Sequence, residues 1–179
     1  SGNVFVTGIF RETVDLGGGP LVSAGGDDIF VAKYDPIGTH LWSQRFGSTL
    51  TDSGRSVAAD PSGNVFVTGS FQGTVDFGGA PLVSVGGTDL FLTRFNPTGA
   101  YLFGVGFGST SSEVGWSVAT DPSGNVLVMG SFNGTADFGG GPLVSAGSVD
   151  IMLAKYAVIP FEPTITSIAD IGNDQGRKL

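Results

Sequence analysis

The chain has no cysteine among its 179 residues. Disulfides and thiolate metal sites are therefore excluded, although that absence does not fix the compartment. Histidine occurs once, at His40, so an imidazole metal centre has no second ligand to draw on. Charge is sparse. Only 13% of residues are charged, and 8 basic residues face 16 acidic ones, for a net charge of −8. Phosphate binding needs a basic stripe, so no nucleic-acid partner is expected, and an anionic membrane surface is disfavoured for the same reason. No apolar run approaches the roughly 20 residues that cross a bilayer, so no membrane insertion is expected in this piece. Sustained 3.6-residue periodicity is also missing, which argues against helices.

Glycine is what the chain has in quantity, 31 residues, alongside Val, Leu, Phe, Thr and Ser. That mixture suits short strands joined by tight turns. It is written as a repeat. "DPSGNVFVTGSF" at 60–71 returns as "DPSGNVLVMGSF" at 121–132, and "SGNVFVTGIF" opens the chain. Gly2, Gly63 and Gly124 stand 61 residues apart, and Asp28, Asp89 and Asp150 keep the same register. A fixed period of this size marks a solenoid, propeller or array. The units are 1–61, 62–122 and a partial 123–156, where the match stops after Tyr156. The chain opens inside a unit and without Met, so a piece of a longer protein is expected.

Each unit reads as four strands, a to d. "WSVATD" (116–121) and "NVLVMGSF" (125–132) form a hairpin, "DLFLTRFN" (89–96) is the third strand, and "AYLFGVGFG" (100–108) is the fourth. The a–b turns are built by Asp60, Pro61, Gly63 and Asn64, and again by Asp121, Pro122, Gly124 and Asn125. Proline fixes φ, glycine accepts positive φ, and the carboxylate can cap backbone N–H groups two or more residues on. Val65, Phe66 and Val67 are apolar on both faces, as in a strand covered on both sides. The fold class is all-β: a partial β-propeller of 61-residue, four-stranded blades, cut from a larger ring.

The run "DIFVAKYDPIGTHLWSQRFGS" followed by "GRSVAADPSGNVFVTGS" resembles the bacterial β-propeller repeat family called SBBP, over residues 1 to about 156. The tail "EPTITSIADIGNDQGRKL" resembles the lead-in strand of a fibronectin-like sandwich, so 157–179 reads as a linker and the stub of that domain. The resemblance implies an exported or surface-attached protein with no catalytic residues. Its blades would be partners of one another within the chain.

Several residues are candidates for chemistry. Asp15, Asp76 and Asp137, with Asp28, Asp89 and Asp150, recur on Gly-rich loops and are the weak candidates for metal; Ca²⁺ is the cofactor such oxygens would suit. The D-x-[DN]-x-[DN]-G loop is absent, and turn capping is the preferred reading. Lys33, Arg94 and Lys155 recur on strand c and are read as paired or solvated cations. His40 aligns with Tyr101 in an aromatic slot, and Trp116 aligns with Arg55. "GGGP" at 17–20 and 139–142 lacks the strand, helix and lysine of a phosphate cradle.

The b–c segments, 11–27, 72–88 and 133–149, far exceed the two to five residues of a hairpin connection. They would line one rim, carrying acids and nearly no Lys or Arg, with Arg11 the exception. Two readings stay open there: a recognition rim for a protein or glycan, or a hairpin that only covers a blade edge. The function expected is a non-enzymatic recognition or adhesion module. The alternatives are a lectin-like propeller binding glycan or Ca²⁺, and an enzyme whose active site lies in other blades.

Overall fold

A computed structural model describes residues 2–158 and 163–170. Every regular element among the described residues is a strand. The first unit gives β1 (Val4–Phe10), β2 (Thr13–Asp15), β3 (Pro20–Val22), β4 (Asp28–Tyr34) and β5 (His40–Phe46). The second gives β6 (Ser53–Ala59), β7 (Val65–Phe71), β8 (Thr74–Val75), β9 (Leu82–Val83), β10 (Asp89–Phe95) and β11 (Tyr101–Phe107). The third gives β12 (Val114–Thr120), β13 (Val126–Phe132), β14 (Thr135–Asp137), β15 (Pro142–Val144), β16 (Asp150–Val158) and β17 (Pro163–Asp170).

The strands form a three-stranded sheet, β1-β4-β5, and two four-stranded antiparallel sheets, β6-β7-β10-β11 and β12-β13-β16-β17. Register follows the sequence period. Val65 pairs Phe95 and Phe71 pairs Asp89; 61 residues on, Val126 pairs Tyr156 and Phe132 pairs Asp150. Even the irregularity repeats, with a bulge between Gly54 and Ser56 and another between Gly115 and Ser117. Gly69 is required beside the first of these, because a Cβ there would lie 1.9 Å from the Ser53 carbonyl oxygen.

One turn design serves both tight hairpins of a sheet, whose a–b and c–d turns lie at the same end. The Gly63 N–H donates to the Asp60 carbonyl at 2.9 Å, and the Asn64 N–H donates to Asp60 Oδ1 at 2.9 Å. Asn96 does the same for the c–d turn, accepting the Gly99 N–H on its carbonyl at 3.0 Å and the Ala100 N–H on Oδ1 at 2.9 Å. The glycine in each sits at φ near +85°, +82° for Gly63 and +89° for Gly99, where an L side chain is strained.

The sheets stack face to face. Side chains alternate along a strand, so Val65, Val67 and Phe71 point one way, toward Ile29, Val31 and Phe46 of the first sheet. Phe66 points the other way and joins Leu90, Leu92 and Phe107 against Val126, Val128 and Phe132 of the third sheet. Two inter-sheet cores result, built from the same two faces. Stacked aromatics mark both: Phe46 on Phe95 at 5.1 Å and Phe107 on Tyr156 at 5.7 Å. The architecture is that of propeller-like repeats.

The stretch 157–179, expected to be a linker and the stub of a sandwich domain, differs in part. Pro163–Asp170 pairs with β16 as the outer strand of the third sheet, where β5 and β11 stand in the others. Ile165 and Ile168 pack against the core. Identity to the other units is lost there because the outer strand tolerates substitution: "HLWSQRF" and "YLFGVGF" share only Leu and Phe. Residues 159–162 and 171–179 lie outside the described residues.

Candidate functional site: the outer hairpins

Each b–c segment folds into a small hairpin: β2–β3, β8–β9 and β14–β15. The inner faces of the second and third hairpins belong to the inter-sheet cores. Val75 and Phe77 are buried in the first, Ala136, Phe138 and Leu143 in the second. Phe77 lies 5.1 Å from Phe46 and 4.8 Å from Phe91, ring centre to ring centre. These hairpins are thus structural on one side. The outer face carries Thr13 beside Val22, Thr74 beside Val83 and Thr135 beside Val144. The three valines are 61%, 63% and 65% exposed. A β-branched apolar residue is held in solvent at the same place in every unit, on a scaffold anchored from beneath. Sequence reasoning noted the length of these segments and their acids but missed the valine row; its signal was the 61-residue spacing of an apolar residue outside the core alternation.

Three acids of this rim hold their own turns, and a fourth, Asp27, pairs with Arg11. Asp15 Oδ1 accepts the N–H groups of Gly17 and Gly19, Asp137 Oδ1 those of Gly139 and Gly141, and Asp76 Oδ1 that of Gly78 at 2.7 Å. The second series lies deeper. Asp28, Asp89 and Asp150 are buried at the start of strand c, and each accepts an N–H four residues back, from Ala24, Val85 and Ala146. Among the described residues no three His, Cys, Asp or Glu side chains converge as metal ligands would.

Two further buried acids, Asp52 and Glu113, stand at the same unit position. Asp52 takes the N–H groups of Ser48 (2.6 Å) and Gln72 (2.9 Å), tying the loop before β6 to the end of β7. Glu113 takes the N–H and hydroxyl of Ser109. Burial raises the pKa of Asp52, Asp89 and Glu113 above the ordinary carboxylate range; the charges of Asp28 and Asp89 add to this at Asp52 and Glu113 respectively. Asp28 has a cation beside it, Arg45 Nη1 at 2.7 Å. Asp89 has Gly106 at that unit position and so no such cation, and Oδ1 of both Asp28 and Asp89 is buried without a partner.

The strand-c cations are anchored. Arg94 reaches Asp60 at 3.4 Å, and Lys155 reaches Asp121 at 2.9 Å. Lys33 donates to the Pro97 carbonyl at 2.7 Å, and the nearby Asp35 Oδ1 caps Ile37 and Thr39. The turn acid Asp121 is held far below the usual carboxylate range by the Asn125 amide first and by Lys155 second. His40 Nε2 meets Ser43 Oγ at 3.0 Å, with Tyr34 edge-on. Arg55 and Trp116 are the extra residues of the two bulges, a device that re-aims side chains, and the guanidinium stacks 4.4 Å from the indole centre. Beside the rim an open cleft of about 590 Å³ is lined by Gln44, Arg45, Asp76, Phe77, Thr98 and Tyr101, among others.

An uncharacterized WD repeat-containing protein of Acanthamoeba polyphaga mimivirus is 30% identical to this chain. The match takes in 86% of this chain and 12% of that protein, so this chain spans about an eighth of the relative's length. Residues 41–70, which run from strand d of one sheet through strands a and b of the next, match the SBBP β-propeller repeat.

Proposed function

We propose that this chain is a non-enzymatic scaffold for protein recognition, and that the outer faces of its hairpins make the contact. The observation that carries the reading is the row of exposed valines, Val22, Val83 and Val144, each set beside a threonine on a small hairpin, the second and third of which have their other face locked into a core. Apolar groups displayed on a rigid support are what an interface core needs. With Asp15, Asp76 and Asp137 bound to their own turns, Asp27 paired with Arg11 and few other Lys or Arg nearby, the fitting partner is a neutral, partly apolar surface, not a polyanion. An exported or surface setting, in which the contact serves adhesion, belongs to the same proposal and rests on the family resemblance.

The test is a photo-reactive side chain placed at Val22, Val83 or Val144 within the host protein in its own cells. One and the same adduct from all three positions, lost when the other two valines become lysine, supports the reading. No adduct from any of them contradicts it.

The cleft below the rim favours a second reading, a glycan site. Tyr101 lines it together with Gln44, Arg45 and Thr98, which carry hydrogen-bonding groups. Glycan-array binding abolished by Tyr101→Ala would select this reading over the first.

A further inference from the structure

The two inter-sheet junctions are built alike but differ by one cation. In the first, Asp28 and Asp52 are both buried, and Arg45 Nη1 lies 2.7 Å from Asp28 Oδ2 and 3.5 Å from the Gly47 carbonyl oxygen. One period on, Asp89 and Glu113 are just as buried, at 2% and 0% exposure, but Gly106 stands where Arg45 did. Among the described residues no cation pairs with either acid. The Glu113 N–H donates to the Thr88 carbonyl at 2.8 Å, so the two acids sit where the second and third sheets join inside the chain. Asp89 Oδ2 accepts the Val85 N–H at 2.9 Å, and Oδ1 accepts nothing. A buried carboxylate so poorly served is costly.

The place of the missing side chain is open. Gly106 is exposed on β11, and a Cβ there would meet only the edge of the Phe71 ring, at 3.1 Å, and Leu82 Cδ1, at 3.9 Å. Phe10 and Leu21 hold those positions in the first unit, where arginine is accommodated. The carboxylates also sit alike: a Cβ on Gly108 would collide with Asp89, as one on Gly47 would with Asp28.

We propose that the slot between Gly106 and Asp89 is a binding site for a guanidinium group, which takes the place that Arg45 fills at Asp28. The planar fork of N–H donors suits a carboxylate. Asp89 Oδ1 is the open acceptor, and the Gly108 carbonyl stands where that of Gly47 does for Arg45. A bare metal ion fits less well, because no three acids or other ligating side chains converge among the described residues. The guanidinium comes from a small free molecule or from an arginine of a partner protein. The site stands whether or not Val83 makes the contact proposed above.

Titration of the 179-residue chain with methylguanidinium, followed by amide NMR in mildly alkaline buffer, tests this. The Val85 amide, which donates to Asp89, is expected to shift saturably, with half-saturation at about 1–10 mM, the range open to a ligand of few atoms. The Ala24 amide is the internal control and is expected to stay still, because Arg45 already holds Asp28. Arg45→Gly opens the same slot there and is expected to make Ala24 respond. Asp89→Asn is expected to abolish the response at Val85. No saturable shift at Val85, an equal shift at Ala24 in the unaltered chain, or the same shift with sodium at equal ionic strength overturns the proposal. So does a response that persists in Asp89→Asn. A blocked Gly-Arg-Gly peptide separates the two sources. Binding about tenfold tighter than methylguanidinium supports a partner's arginine, and equal or weaker binding supports a free molecule.

Discussion

Phe77 and Val83 belong to the same small hairpin and face opposite ways. Phe77 is 2% exposed and sits between Phe46 of the first sheet and Phe91 of the second. Its truncation to alanine removes a buried ring and leaves a cavity between sheets that cannot close over it. Such changes cost about 3–5 kcal/mol, including the roughly 0.5–1.5 kcal/mol of each aromatic pair. Against a total stability of about 5–15 kcal/mol for a domain, that is a large share. With a urea dependence of about 2 kcal/mol per molar, the unfolding midpoint should fall by about 1.5–2.5 M with no change in slope. Val83→Ala touches an outward side chain and should cost under about 0.5 kcal/mol. The assay is urea unfolding followed by circular dichroism, with all proteins at one concentration because self-association shifts apparent stability. If Phe77→Ala costs less than about 1 kcal/mol, the hairpin is not part of the inter-sheet core and the reasoning fails.

Gly124→Ala should cost about 1–2 kcal/mol from backbone strain at positive φ, since Gly124 sits at φ +83° with open space around it; Gly124→Asn should recover much of the loss in thermal melts. Gly69→Ala should be worse, at or beyond the top of the roughly 1–3 kcal/mol range for overpacking, because the obstacle is the Ser53 backbone; a melt within two degrees of the parent would refute the bulge geometry. The buried acids set a pH dependence. Asp52, Asp89 and Glu113 bind protons more tightly folded than unfolded, so their contribution is full below the unfolded value of about 4 and is lost as pH rises through the raised folded values. Asp89→Asn should flatten the fall in stability from pH 4 to pH 7, and an unchanged slope in urea titrations across that window would count against a strained carboxylate at this site.

The strand order, the turns and the 61-residue register were legible because each has a local cause. The D/N-P-x-G turns bring their own φ preferences and caps, and a strand apolar on both faces announces that both are covered. The outer strand of the third sheet was not legible. Pro163–Asp170 keeps only Ile165 and Ile168, three residues apart and brought to one face by a register shift that its sequence does not announce. Asp52 and Glu113 were passed over because a lone acid in a loop reads as solvated; only the stacking of sheets shows that the loop is buried. Arg55 and Trp116 align in sequence, which alone reads as two occupants of one repeat position. In space they are neighbours, because adjacent strands a lie side by side: Thr120 Oγ1 donates to the Ala59 carbonyl, 61 residues away, at 2.9 Å.

The central claim is that one pair of faces packs twice, 61 residues apart. Nuclear Overhauser contacts between aromatic rings read this directly. Phe46 should show contacts to both Phe77 and Phe95, whose centres lie 5.1 Å away, and Phe107 should show the same pattern to Phe138 and Tyr156 at 5.9 and 5.7 Å. Both sets observed together is the predicted result. Strand-pairing contacts within each sheet, such as Val65 to Phe95 and Val126 to Tyr156, without the ring contacts between sheets would show three correct sheets that do not stack, and would contradict the account.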